Sequence, residues 1–453
     1  MKKYLSLLLI SPAILFGGCS KFLDEKPDKK LAVPSTLNDL KLLLQNTNVL
    51  NQGNTSTAES FADNYYITTT AYINSGNEAT RQKYVWGDES FPNTAPSSEW
   101  SKVFQQVYVA NVVFESLQKI ERTNSNAVAW DEVKGSASFF RAKGWFEALS
   151  LWAPPYDSVQ AAQTLGIPLH TEPDFEKSVP RASLKASVEA VVKDFTEASL
   201  LCPEQVMYKT NPTRAAAQAM LSRVYLYLRQ YDNCVLAASK CLEKEHTLMN
   251  YNNYSSSLTF PFTYDNPEVI FVGLALADGP ATSSLAIVDS NLYRSYETND
   301  LRRTLYFKPN TTGEPTYKGS YSGSGLSFIG PAVDEVILNY AEALARLGKA
   351  PQAIEEMNKL LVTRYKTGTY QPKLGLNQQQ TLDWVLTERR KELLYRGIRW
   401  TDIKRLHYEV RYQTTVVRII PSGEVRLVPG DKRYAAIIPE DAIVFGGLQQ
   451  NPR

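Results

Sequence analysis

Two stretches of the chain, 211–244 and 333–365, each hold a pair of amphipathic helical patterns cut by a short polar turn. In "NPTRAAAQAMLSRVYLYLRQYDNCVLAASKCLEK" the cut falls at "RQYDN", with Pro212 at a helix start; in "VDEVILNYAEALARLGKAPQAIEEMNKLLVTRY" it falls at "LGKAP". Apolar residues recur at three- and four-residue spacing, so each helix has one face to bury. Ala and Ser stand where two such helices would approach closely. A chain built this way must stack helices on helices.

The pattern is that of a tetratricopeptide-like hairpin, whose full repeat runs roughly 34 residues. Residues 133–153 and 187–201 could supply further, degenerate hairpins. Two clear units are too few for a regular solenoid. The expected fold is therefore mainly α, a scaffold of such hairpins with long loop-rich insertions and a few short strands. Ser35 or Thr36, and Ser183, are placed to cap helices. The insertions are read at about 51–98 and about 247–330. In the first, Asn, Ser, Thr and Gly alternate with Tyr65, Tyr66, Tyr72, Tyr84 and Trp86. In the second, "EVIFVGLAL" predicts a short strand within a tyrosine- and glycine-rich segment. Further on, "QQTLDWVLTERRKELLYRGIRWTDIKRL" predicts a helix and "TTVVRIIPSGEVRLVPG" a hairpin.

The amino terminus reads differently. Lys2 and Lys3 precede an apolar run, Tyr4–Phe16, which is shorter than the ~20 residues of a spanning helix and fits a secretory signal peptide. Removing residues 1–18 takes two lysines and no acid from a formal charge of +2, leaving 0. Cys19 then stands at the head of the mature chain, with Cys202, Cys234 and Cys241 remaining. Cys234 and Cys241 are seven residues apart on a helical pattern, a rise of roughly 10 Å, too far to close a disulfide. Buried thiols are the expected state.

Composition excludes several chemistries. No basic excess points to nucleic acid. The three histidines, His170, His246 and His407, are scattered, and the cysteines form no zinc-type pairs. No cofactor is expected; scattered loop carboxylates are compatible with calcium without specifying a site. A glycosidase needs only two carboxylates, which distant segments can supply, so the sequence leaves that class open. The positive signal is aromatic: 26 Tyr, 17 Phe and 7 Trp. Flat rings with a polar handle offer rigid faces at small entropic cost, and sugar rings present apolar C–H faces to match. "ADNYYITTTAY" and "YVWGDESFPN" mix such rings with Asn, Asp and Thr. Trp100, at the head of an apolar-striped helix, is expected as framework.

Several segments, in order, resemble the SusD/RagB family of outer-membrane nutrient-binding lipoproteins. "CSKFLDEKP" is similar to the stretch behind the family's lipoprotein leader. Residues 180–203 resemble its "PRxSxxxxxxxIxxDxxxAxxxLP" pattern. "ERRKELLYRGIRWTDIKRL" resembles its ERxxELxxEGxRxxDLxR signature, with Ile398 in place of a common His. "IIPEDAI…QQNPR" is similar to its terminus. In the signature, Glu388, Arg389, Glu392, Arg399, Asp402 and Arg405 are spaced to build an ion-pair network, a structural role. The resemblance implies a signal peptide at 1–18, a lipid-anchored tether at 19–33 acylated on Cys19, and one domain at 34–453. Within that domain, 34–210 is the N-terminal helical part and 211–453 the part with helical hairpins and signature. It further implies a surface-exposed, non-catalytic protein of the outer membrane that binds a glycan and hands it to a TonB-dependent (SusC-like) transporter. Peptide binding, a glycoside hydrolase and a pure scaffold remain open. The family carries no ligand motif, so the candidate ligand residues come from the loops: Asp63, Tyr65, Tyr66, Tyr72, Trp86, Asp88, Tyr293, Tyr296 and Tyr321.

Overall fold

The computed structural model describes residues 34–52, 54–88, 98–174, 176–276 and 279–453. Cys19 and the segments 1–18 and 19–33 lie outside the described residues. The frame is a run of helices, each packed on the next: Ser98–Leu117, Ala127–Trp152, Leu184–Leu201, Arg214–Tyr227 and Tyr231–Leu242. It resumes with Val333–Arg346, Ala350–Leu361 and Gln378–Glu392. Local chemistry sets several starts. Thr36 and Ser183 each accept a backbone N–H three residues on, at Asp39 and Ala186, satisfying donors that a helix start leaves unpaired. Thr213 does the same ahead of Arg214, one residue past Pro212.

Small residues permit the close approaches. A Cβ at Gly135 would lie 2.6 Å from Cys202 N and 2.8 Å from Leu201 C, the backbone that ends the Leu184–Leu201 helix. Cys202, Cys234 and Cys241 are free and buried, and burial pushes each thiol pKa up.

The Tyr231–Leu242 helix packs directly on Val333–Arg346. Residues 247–330 thus leave the frame and return to the same place. Their aromatics build a second core with the 51–98 segment, containing Tyr65, Tyr84, Tyr251, Phe262, Tyr306 and Tyr321. Antiparallel pairing of Tyr65–Tyr66 with Ile287–Val288 joins the two segments. Three sequence expectations are revised here. The 51–98 segment carries short helices at Thr57–Phe61, Thr69–Asn74 and Glu78–Tyr84. Of "EVIFVGLAL", Leu274–Ala275 forms a strand, against Ser327–Phe328, and Val269 a single bridge. The signature is two helices, Gln378–Glu392 and Arg399–Leu406, because Tyr395 and Gly397 take left-handed φ of 57° and 68°. Tyr395 is held there by stacking on Tyr317, with centroids 4.7 Å apart. The hairpin forms as expected, Val416–Ile420 on Gly423–Leu427.

The signature residues tie frame and second core together. Arg389 donates to Asp402, and Arg405 to both Asp402 and Glu342. Glu392 accepts from Arg302 at 2.8 Å and Arg364 at 2.7 Å. Asp300 and Glu388 complete the ring around Arg302.

Candidate functional site

The aromatics singled out from sequence mostly serve this packing. Tyr65 and Trp86 are buried at 2% and 1% exposure. With Tyr84 they wall in the buried Arg418 guanidinium, 4.5–5.5 Å from their ring centres. Arg418 in turn donates to the carbonyls of Ser60, Ala62 and Tyr65. The Tyr65 hydroxyl donates to Ser60 O and the Trp86 indole N–H to Phe61 O. Tyr296 and Tyr321 are equally buried. Tyr296 donates to Lys391 O, and the Tyr321 hydroxyl lies 2.8 Å from Glu268 and 3.2 Å from Asp334. None of these four rings offers a face to a ligand, a correction with one cause: each is packed inside the protein with its polar atom already bonded there.

Asp63 is likewise committed. Arg399 grips it with two bonds of 2.6 and 2.8 Å, and Arg390 stands 3.3 Å away. Burial would raise its pKa, but the two guanidinium groups hold it well below the carboxylate range. Asp88 is exposed and pairs with Arg453. Tyr66, Tyr72 and Tyr293 are half-buried; Tyr72 and Tyr293 lie on the rim of the second core. These three rings and Asp88 keep solvent-facing surface.

An aromatic cleft that sequence reading did not single out lies elsewhere, against the first turns of Ser98–Leu117. Trp100, Phe104 and Tyr108 recur every four residues and so share one helix face. Trp100 packs edge-on against Trp152 at 4.9 Å and on Phe104 at 4.6 Å. It is 9% exposed, chiefly framework, and it floors the cleft. Phe104 and Tyr108 are half-buried. The segment after the Leu165–Pro168 strand forms the opposite wall, bringing His170, Glu172 and Asp174. The His170 ring meets Phe104 at 5.7 Å. Asn111 fixes this wall, its amide donating to His170 O at 2.9 Å and Glu172 O at 3.4 Å. Burial lowers the His170 pKa, favouring the neutral ring.

The cleft holds about 240 Å³. A second cavity of about 260 Å³ shares Trp100 and His170 with it and runs on past Lys177 and Ser178 to Asp441 and Phe445. Ser178 donates to Gly446 O at 2.7 Å, joining the wall to the Glu440–Gly446 helix. Phe445 is 86% exposed at its edge. The result is an open trough with a ring-lined floor and a rim of carboxylate and amide groups.

Other cavities are less suited to a sugar. One of about 370 Å³ is walled by charges already paired, Arg390 and Arg399 with Asp63, Arg389 with Asp402 and Asp383 with Arg411. One of about 50 Å³ near Lys143 and Glu147 is enclosed in the frame. Among the described residues, no three His, Cys, Asp or Glu side chains are grouped to hold a metal ion, and no helix is long and apolar enough to cross a membrane.

Comparison with known proteins agrees with this architecture. Residues 21–226 match the family model described as starch-binding associating with outer membrane, and residues 334–429 match the SusD family model. The chain belongs to the SusD/RagB family. It is 22% identical over 386 residues to SusD-like protein P38 of Formosa agariphila, a match spanning 69% of this chain and 72% of that one. The fold is similar to that of a putative sugar binding protein from Bacteroides vulgatus (TM-score 0.74, 19% identity, 92% of this chain and 98% of that one). It is also similar to a SusD superfamily protein from Bacteroides thetaiotaomicron (TM-score 0.74, 21% identity, 92% and 100%).

Proposed function

We propose that this chain is a non-catalytic glycan-binding protein of the bacterial cell surface, anchored in the outer membrane through lipid on Cys19, that passes an oligosaccharide to a TonB-dependent transporter. The observation that carries the reading is the trough: Phe104, Tyr108 and His170 offer ring surface above Trp100, beside Glu172, Asp174 and the Gln105 amide. Apolar faces with polar groups at their edges are what a sugar ring, apolar on its C–H face and hydroxylated at its rim, requires. The family description, starch-binding associating with outer membrane, supports the same class and location. The half-buried Tyr66, Tyr72 and Tyr293 and the exposed Asp88 are the loop residues retained as secondary ligand contacts. The helical hairpins are assigned to the transporter side.

The test is affinity electrophoresis of the mature chain in gels containing single polysaccharides, with a reducing-end assay on the same mixtures. Retardation by at least one polysaccharide without new reducing ends is the expected result. Release of reducing ends would make the protein a hydrolase. Recovery of Cys19→Ser still bound to membranes would remove the lipid anchor from the proposal.

A further inference from the structure

The wall of the trough at residues 169–174 follows the Leu165–Pro168 strand without regular secondary structure. Such a segment takes its shape from the few bonds that tie it down. Among the described residues, two hydrogen bonds reach its backbone from the helical frame, and both come from the Asn111 amide, to His170 O and Glu172 O. The same two residues line the cleft. An amide has two ends, a donating Nδ2 and an accepting Oδ1. Turned over, Asn111 would set its oxygen against two carbonyl oxygens and repel the wall. Arg141 decides the orientation. A guanidinium has only donors, so Nη1, at 3.2 Å, bonds the oxygen end of Asn111. Arg141 is fixed in turn: Asp194 accepts from its Nε at 2.7 Å and its Nη2 at 3.1 Å. The ring centroids of Phe114 and Trp145 lie 4.0 and 4.9 Å from its guanidinium carbon. Asn111 and Asp194 are 1% and 2% exposed. The three residues stand on three successive frame helices, Ser98–Leu117, Ala127–Trp152 and Leu184–Leu201.

We infer that Arg141 is a positioning residue for the trough: by orienting the Asn111 amide, it presets the His170–Asp174 wall to receive a ligand. Arg141 and Asp194 do not line the cleft themselves; they act on it through Asn111. This rests on the glycan reading above and names the residues that preorganise that site. A wall already held in place has less freedom to lose when ligand binds, so its order appears as affinity.

The experiment compares the mature chain with Asn111→Leu, Arg141→Lys and the double variant, each shown to be folded by circular dichroism. Leu keeps the size of Asn without a donor. Lys keeps a cation beside Asp194 without the rigid fork that spans Asp194 and Asn111. Against the polysaccharide that the wild type binds, each single variant should bind roughly tenfold more weakly, about the net worth of one hydrogen bond. The double variant should bind no more weakly than Asn111→Leu alone, because Arg141 acts through Asn111. A second readout needs no ligand: the titration of His170 by nuclear magnetic resonance, its signal assigned with His170→Gln. Burial lowers the His170 pKa in the wild type. In both single variants a released wall exposes the ring, and the pKa should climb toward about 6.5. Neither substitution changes the net charge, so the climb reports exposure. Wild-type affinity in Arg141→Lys, additive losses in the double variant, or an unshifted His170 in Asn111→Leu overturns the inference. A wild-type chain that binds no polysaccharide overturns the glycan reading instead, and the His170 titration then still decides whether Arg141 and Asn111 hold the wall.

Discussion

Arg302→Met probes the network that the family signature builds. The guanidinium makes four bonds: to Asp300 at 2.9 and 2.7 Å, to Glu388 at 2.6 Å and to Glu392 at 2.8 Å. The four side chains are between 0% and 9% exposed, so water cannot replace the lost partner. Removing one member of a buried ion pair costs about 3–5 kcal/mol. Each carboxylate here keeps one cation, Lys391 for Asp300 and Glu388, and Arg364 for Glu392. That places the expected loss near the lower end, about 3 kcal/mol. The sign of the pH dependence follows from Asp300. Burial opposes its charge, yet Arg302 and Lys391 hold its pKa below the ordinary value. A depressed carboxylate contributes stability above its unfolded pKa, and that contribution is lost as pH falls through its folded pKa. The gap between wild type and variant should therefore narrow below about pH 4. Urea unfolding followed by far-ultraviolet circular dichroism at about pH 7 and about pH 3 measures it. A loss at pH 7 under about 1 kcal/mol, the range of an exposed pair, or a gap unchanged at about pH 3, would refute the network's role. Glycan binding of the folded variant should be unaltered, as expected of a structural signature.

Gly135→Ala should cost about 1–3 kcal/mol in the same assay, because its methyl group overpacks a helix contact already closed on backbone atoms. Cys202, Cys234 and Cys241 should react with a thiol reagent only after unfolding; labelling in the native state would contradict their burial. Lys404 is buried with its ammonium donating to Ser150 O and Ala153 O, and burial pushes its pKa down to about 7 from 10.5. The unfolded chain then binds more protons between those values, so Lys404 makes stability rise with pH from about 7 to about 10. Lys404→Met should flatten that slope, and an unchanged slope would exclude Lys404 as its source.

Much of the frame was legible because helices announce themselves locally. The caps at Thr36 and Ser183, the paired stripes of 211–244 and 333–365, and the hairpin at 416–427 all follow from neighbours within a few residues. The break in the signature was missed, since residue spacing alone cannot reveal a left-handed Tyr395 stabilised by Tyr317. The ligand residues were the least legible. Tyr65 and Trp86 look like loop aromatics until Arg418, more than three hundred residues later, is seen to fill the space between them. The trough has the converse problem. Trp100, Phe104 and Tyr108 have the four-residue spacing of an ordinary core stripe, and only the distant His170–Asp174 segment turns that stripe into one side of a cleft. The repeated aromatic in "WSKVFQQVY" was the one available signal.

The most direct measurement compares two double variants against the polysaccharide that the wild type binds. Phe104→Ala with Tyr108→Ala strips ring surface from the trough; Tyr66→Ala with Tyr293→Ala strips the loop rim. By isothermal titration, the trough variant should lose about 2 kcal/mol or more of binding, as truncated central aromatics do, while the rim variant retains most of its affinity. Full affinity in the folded trough variant, with loss confined to the rim variant, would contradict the assignment of the glycan to the trough.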